Sequence, residues 1–120
     1  MNNAIKKELK DNGVMVLTLN RPEVLNAMNR DLIMGLYETF QEIEKENNSR
    51  VIIITGEGRG FCSGADLANG GWPSEEGMTG GEAGANSMEI GFNPLIRLIT
   101  SIDKPVITSI NGIAAGGGVG

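Results

Sequence analysis

Histidine is absent from the 120 residues, and cysteine occurs once, as Cys62. Without an imidazole this chain cannot by itself assemble a Ser-His-Asp or Cys-His nucleophilic unit, nor a His-ligated zinc site. A single thiol cannot close an internal disulfide, and nothing in cysteine usage argues for secretion. No basic arm or stripe is present. The ten Lys and Arg are scattered as singles and pairs under a net charge of −5, which speaks against nucleic acid as a general partner. The opening MNNAIKKELKD lacks the apolar centre of a signal peptide, and no apolar run approaches membrane-spanning length. The expected location is the cytoplasm, with an organelle interior as the alternative.

What is present is one ordinary domain's worth of chain, 40% apolar and 21% charged. General acid or base work falls to its fifteen Asp and Glu. Asp11-Asn12-Gly13 is a hairpin turn signal leading into an apolar strand at Val14–Leu19. Leu32, Leu36, Phe40 and Ile43 then fall on one face at helical spacing, with Asn29 placed to cap and Asp31 suited to the first turn. Val51–Thr55 and Val106–Ile110 read as short buried strands. A second helix is expected from Ser87 to Ser101, with Pro94 either in its first turn or kinking it. Residues 69 to 86 carry six glycines, three glutamates and the only tryptophan, Trp72, and read as a mobile insertion. The alternation gives an α/β class with the two apolar strands paired in parallel.

Each of those two strands empties into glycines. The first leads through Gly56–Gly60 to Ser63-Gly64-Ala65-Asp66, the second into Asn111-Gly112-Ile113-Ala114-Ala115-Gly116-Gly117-Gly118. Ligands of α/β sheets gather at the carboxyl ends of strands, and glycine there lets backbone approach closely with its N–H unshielded. Two such loops side by side can aim two amide donors at one point, the geometry of an oxyanion hole. The first loop also resembles a dinucleotide fingerprint, but its spacing is G-x-G-x-G and no lysine-serine follows for a P-loop.

Together, LNRPEVLNAMN (19–29), VIIITGEGRGFCSGADL (51–67) and KPVITSINGIAAGGGVG (104–120) resemble the enoyl-CoA hydratase/isomerase (crotonase) superfamily in order and spacing. The resemblance covers nearly the whole chain, with 69–86 as a variable region. It implies that residues 1–120 are the N-terminal part of a crotonase-like domain, a spiral of ββα units incomplete in this chain. It implies assembly as a homotrimer or hexamer, and action on acyl-CoA thioesters with no metal or redox cofactor. By position, the oxyanion-hole amides resemble those of Ala65 and Gly117. Glu23, Val24, Leu25, Ser63, Asp66 and Leu67 resemble positions lining the coenzyme A site.

One departure stands out. Where hydratases of the family carry a glutamate two residues after the triple glycine, this chain has Gly120. The second family carboxylate lies roughly twenty residues further on, beyond the sequence, and a helix is expected to follow the glycines. The reading therefore leans to an enoyl-CoA isomerase. Hydratase and a non-catalytic acyl-CoA-binding relative stand as alternatives, and a nicotinamide-binding domain is a more distant one. Cys62 reads as packing, since no histidine can activate it. Asp66 reads as ordering its loop more than doing chemistry, and Trp72, Glu75, Glu76 and Glu82 read as solvated loop.

Overall fold

A computed structural model describes residues 3–66 and 92–120. Strand β1 (Ile5–Leu9) turns back into β2 (Val14–Leu19), antiparallel with Ile5 opposite Leu19. Gly13 makes the turn possible at φ 87°, a region that carries little cost without a Cβ, and its N–H donates to the Lys10 carbonyl at 3.0 Å. Helix α1 (Arg30–Lys45) begins where expected, with the Asn29 side chain accepting from the Leu32 N–H at 2.9 Å. It delivers the chain to β3 (Val51–Gly56), parallel to β2.

After β3 comes the short β4 (Gly60–Cys62). Helix α2 (Asn93–Ser101), β5 (Val106–Ser109) and β6 (Ile113–Ala114) complete the described elements. Pro94 sits in the first turn of α2, where its missing N–H costs nothing and no kink is needed. The expected helix residues 87–91, the 69–86 insertion and Leu67 lie outside the described residues. The main sheet runs β1-β2-β3-β5, and β4 pairs with β6 in a second, two-stranded sheet.

Alternation on β2 and β3 sends Met15, Leu17, Leu19, Ile52 and Ile54 to one face, where Leu32, Ile33, Leu36, Phe40 and Ile43 of α1 and Leu95 of α2 meet them. All of these are buried. One expectation is corrected here: β5 is not a buried strand. Among the described residues it pairs with β3 on one side only, and Val106 is half-buried while Ile107 and Ile110 just beyond it are 53% and 60% exposed. Short apolar composition is shared by central and edge strands, and only the neighbour on the far side separates them.

Candidate functional site

β3 and β5 are adjacent and parallel, with Ile52 opposite Val106 and Thr55 opposite Ser109. Their continuations therefore leave the sheet at the same end. β4 and β6 pair in parallel as well, Gly60 with Ile113 and Cys62 with Ala114, and the Ala115 N–H donates to the Cys62 carbonyl at 3.0 Å. Such close packing of backbone on backbone requires glycine. A Cβ on Gly112 would lie 1.9 Å from the Arg59 carbonyl oxygen, and one on Gly118 would lie 2.1 Å from that of Cys62.

Among the described residues, two amides on these loops are left over by the hydrogen bonding around them. Ala65 forms an isolated parallel bridge with Met28, in which the Met28 N–H donates to Gly64 at 2.7 Å and the Asp66 N–H donates to Met28 at 2.9 Å. Because successive residues of an extended segment point their polar groups to opposite sides, the Ala65 N–H faces away from Met28. Gly117 is the middle residue of a tight 3-10 turn (Gly116–Gly118) whose own bonds run from Gly118 N–H to Ala115 at 2.8 Å and from Val119 N–H to Gly116 at 3.1 Å. The early N–H groups of such a turn have no partner within it. The loops touch at Gly64 and Ala115, where a Cβ on Gly64 would stand 3.2 Å from the Ala115 oxygen.

Around these amides lies the first motif. A 3-10 turn at Pro22–Val24 ends in Leu25 and Asn26, both with left-handed φ, 53° and 56°. Neither is glycine, so the corner stores backbone strain that its surroundings must hold. Ser63 holds part of it, its N–H donating to Leu25 at 3.0 Å and its hydroxyl to the Val24 carbonyl at 3.3 Å. Val24, Leu25 and Ser63 are thus brought together, while Glu23 projects from the turn in an exposed position. The Asp66 carboxylate pairs with the Arg21 guanidinium at 2.9 Å, their side chains 8% and 17% exposed, and Arg21 also donates to the Ala27 carbonyl. Cys62 is buried, and burial pushes its thiol pKa up against a hydrogen bond from the Gly64 N–H, so it stays a neutral packing group.

Beside Gly117 opens an apolar cavity of about 370 Å³, whose wall includes Met28, Leu32, Phe92, Leu95 and Ile99. The Met28 methyl and the Phe92 ring crowd the Gly117 Cα so closely that a Cβ there would lie 2.5 Å from Met28 Cε. Phe92 and Asn26 are the site residues that sequence reading missed. Asn26 stood inside a recognised motif, but nothing local marked it as buried.

A sequence profile of the family described as enoyl-CoA hydratase/isomerase matches residues 9–120. The chain belongs to the enoyl-CoA hydratase/isomerase family. It is 41% identical over 113 residues to the 1,2-epoxyphenylacetyl-CoA isomerase of Escherichia coli K12, a match spanning 90% of this chain and 40% of that protein. A probable enoyl-CoA hydratase of Mycobacterium bovis is 39% identical over 104 residues, 86% of this chain and 36% of its own length. Among solved structures, a probable enoyl-CoA hydratase/isomerase from Mycobacterium abscessus superposes with a TM-score of 0.79 at 33% identity, over 98% of this chain and 42% of the other. The chain thus spans about 40% of the length of the relatives it matches. Its fold is the crotonase-like one, incomplete at this length. Among the described residues no helix is long and apolar enough to cross a membrane.

Proposed function

We propose that this chain carries the oxyanion hole of an acyl-CoA thioester enzyme, with the Ala65 and Gly117 amides receiving the thioester oxygen. The observation that carries this reading is the pair of left-over N–H groups on two touching loops at the carboxyl ends of neighbouring strands. When a base takes a proton from the carbon next to the thioester carbonyl, negative charge moves onto that oxygen. Two preset donors then contribute on the order of 3 kcal/mol each to the enolate. The apolar cavity at Gly117 suits the hydrocarbon next to the thioester, and Glu23, Val24, Leu25, Ser63, Asp66 and Leu67 are proposed to line the coenzyme A moiety. Coenzyme A enters as part of the substrate, no further cofactor is proposed, and assembly as a homotrimer or hexamer is part of the same reading.

Double-bond isomerisation is favoured over hydration. Shuttling one proton between two carbons needs a single carboxylate, and Gly120 stands where hydratases of the family place a glutamate. The test uses the intact protein with 3-enoyl and 2-enoyl thioesters. Interconversion without water uptake is the expected result, hydration of the 2-enoyl substrate supports the hydratase reading, and binding without turnover supports a non-catalytic relative. Two variants probe the donor itself. Gly117→Pro and Gly117→Ala both add a Cβ against Met28, but only proline deletes the N–H. The expected outcome is that the proline variant loses roughly 100-fold or more in kcat relative to the alanine variant.

A further inference from the structure

Asn26 is completely buried, and it spends both ends of its carboxamide on backbone. Its Oδ1 accepts from the Arg21 N–H at 2.7 Å, and its Nδ2 donates to the carbonyls of Glu57 at 3.1 Å and Gly60 at 2.9 Å. Asn111 does the same from the opposite side of that loop. Its Oδ1 accepts from the Gly56 N–H at 3.0 Å, and its Nδ2 donates to Gly58 at 3.0 Å and to Gly60 at 3.4 Å. Apart from the Thr55 hydroxyl, which also donates to Asn111 Oδ1 at 3.5 Å, the partners are backbone groups that can only donate or only accept, so neither amide can be turned around. Only a carboxamide offers an acceptor and two donors in this arrangement; an aspartate would set oxygen against oxygen.

The two amides converge on one atom, the Gly60 carbonyl, at the first residue of β4. Three segments meet there: residue 26 leads to Met28 and its bridge with Ala65, residue 60 starts β4, which ends at Cys62 three residues before Ala65, and residue 111 opens the loop that runs to Gly117. We propose that Asn26 and Asn111 are positioning residues that fix the Ala65 and Gly117 amides relative to each other. This rests on the oxyanion reading above. Each asparagine acts through the backbone it holds, and a donor displaced by about 1 Å can lose on the order of 100-fold in rate.

The experiment compares Asn111→Asp, Asn111→Ala and Asn26→Asp with the parent in the intact protein. Each is titrated with acetoacetyl-CoA, whose bound enolate is read by its near-ultraviolet absorbance, and with a saturated acyl-CoA of equal length. The parent is expected to favour the enolate former. Asn111→Asp is expected to lose about tenfold or more of that preference at neutral pH, with saturated acyl-CoA affinity held within about threefold. Below the carboxyl pKa the protonated side chain regains a donor, so the loss shrinks in Asn111→Asp but not in Asn111→Ala. Asn111 is exposed, so its variants keep the test open should Asn26→Asp fail to fold. Equal, pH-independent losses for both ligands, or no loss at all, overturn the proposal while leaving the oxyanion reading intact. A parent with no preference for the enolate overturns both.

Discussion

Among single residues, the buried ion pair between Arg21 and Asp66 carries the largest local stake. Its two groups come from positions 45 apart in sequence and tie the strained corner at 25–26 to the loop bearing Ala65. A carboxylate only 8% exposed is tolerable beside a guanidinium and costly without it. Arg21→Leu should therefore destabilise by roughly 1–3 kcal/mol, while the double replacement Arg21→Leu with Asp66→Leu should cost clearly less. Urea midpoints at unchanged slope would measure both, and a double variant as damaged as the single one would contradict the account. The loop-ordering role of Asp66 was legible in sequence, because short acids among glycines favour such work. Its partner was not, since a 45-residue separation leaves no local trace. Asn26 was hidden for a related reason: asparagine is usually found at the surface, and only the inward carbonyls of the glycine loop explain its burial.

At the scale of elements, the face and the start of α1 follow from its period and from Asn29, but the way it ends involves a distant segment. Lys104, just before β5, reaches back with Nζ to the carbonyls of Ile43 at 2.8 Å and Glu46 at 2.9 Å, to Glu46 Oε1 at 2.9 Å and to Ser49 Oγ at 3.0 Å. This cation covers the carbonyl end of the helix, where its charge suits the macrodipole, and links α1 to the strand leading into the second glycine loop. Hydrogen bonds from the Ser49 side chain and from Lys104 lower the Glu46 pKa from its ordinary 4.5 to about 2, with the Asn48 and Ser49 amides adding to them against burial. A carboxylate whose folded pKa is depressed stabilises the fold above its unfolded value and loses that contribution as pH falls. Here the window runs from 4.5 down to about 2. Lys104→Met should thus be less stable than the parent at pH 7, and the gap should narrow as pH falls through that window, read from urea midpoints at each pH. A constant offset at every pH would exclude the linkage. The misreading of β5 belongs to this scale too, for Val106-Ile107-Thr108-Ser109 has the composition of a central strand and lacks only the neighbour.

Across the whole molecule, the resemblance of three ordered motifs to the enoyl-CoA hydratase/isomerase family was enough to indicate fold and family. How far the sheet extends could not be seen from composition, and it decides how residues 1–120 behave alone. Among the described residues the sheet order leaves β5 with one side unpaired, and Ile107, Ile110, Ile113 and Val119 are exposed by 53%, 60%, 57% and 74%. An edge with open N–H and C=O groups beside apolar side chains is a template for pairing with another chain. Residues 1–120 by themselves should therefore self-associate and melt broadly. Ile107→Lys should suppress the association by placing charge on the open edge, yet leave the melt broad, since it adds no packing. Sedimentation velocity and a thermal melt read the two effects separately. A monomer with a sharp transition would mean that the four-stranded sheet and its two helices are sufficient, and that the exposed edge is tolerated rather than waiting for a neighbour.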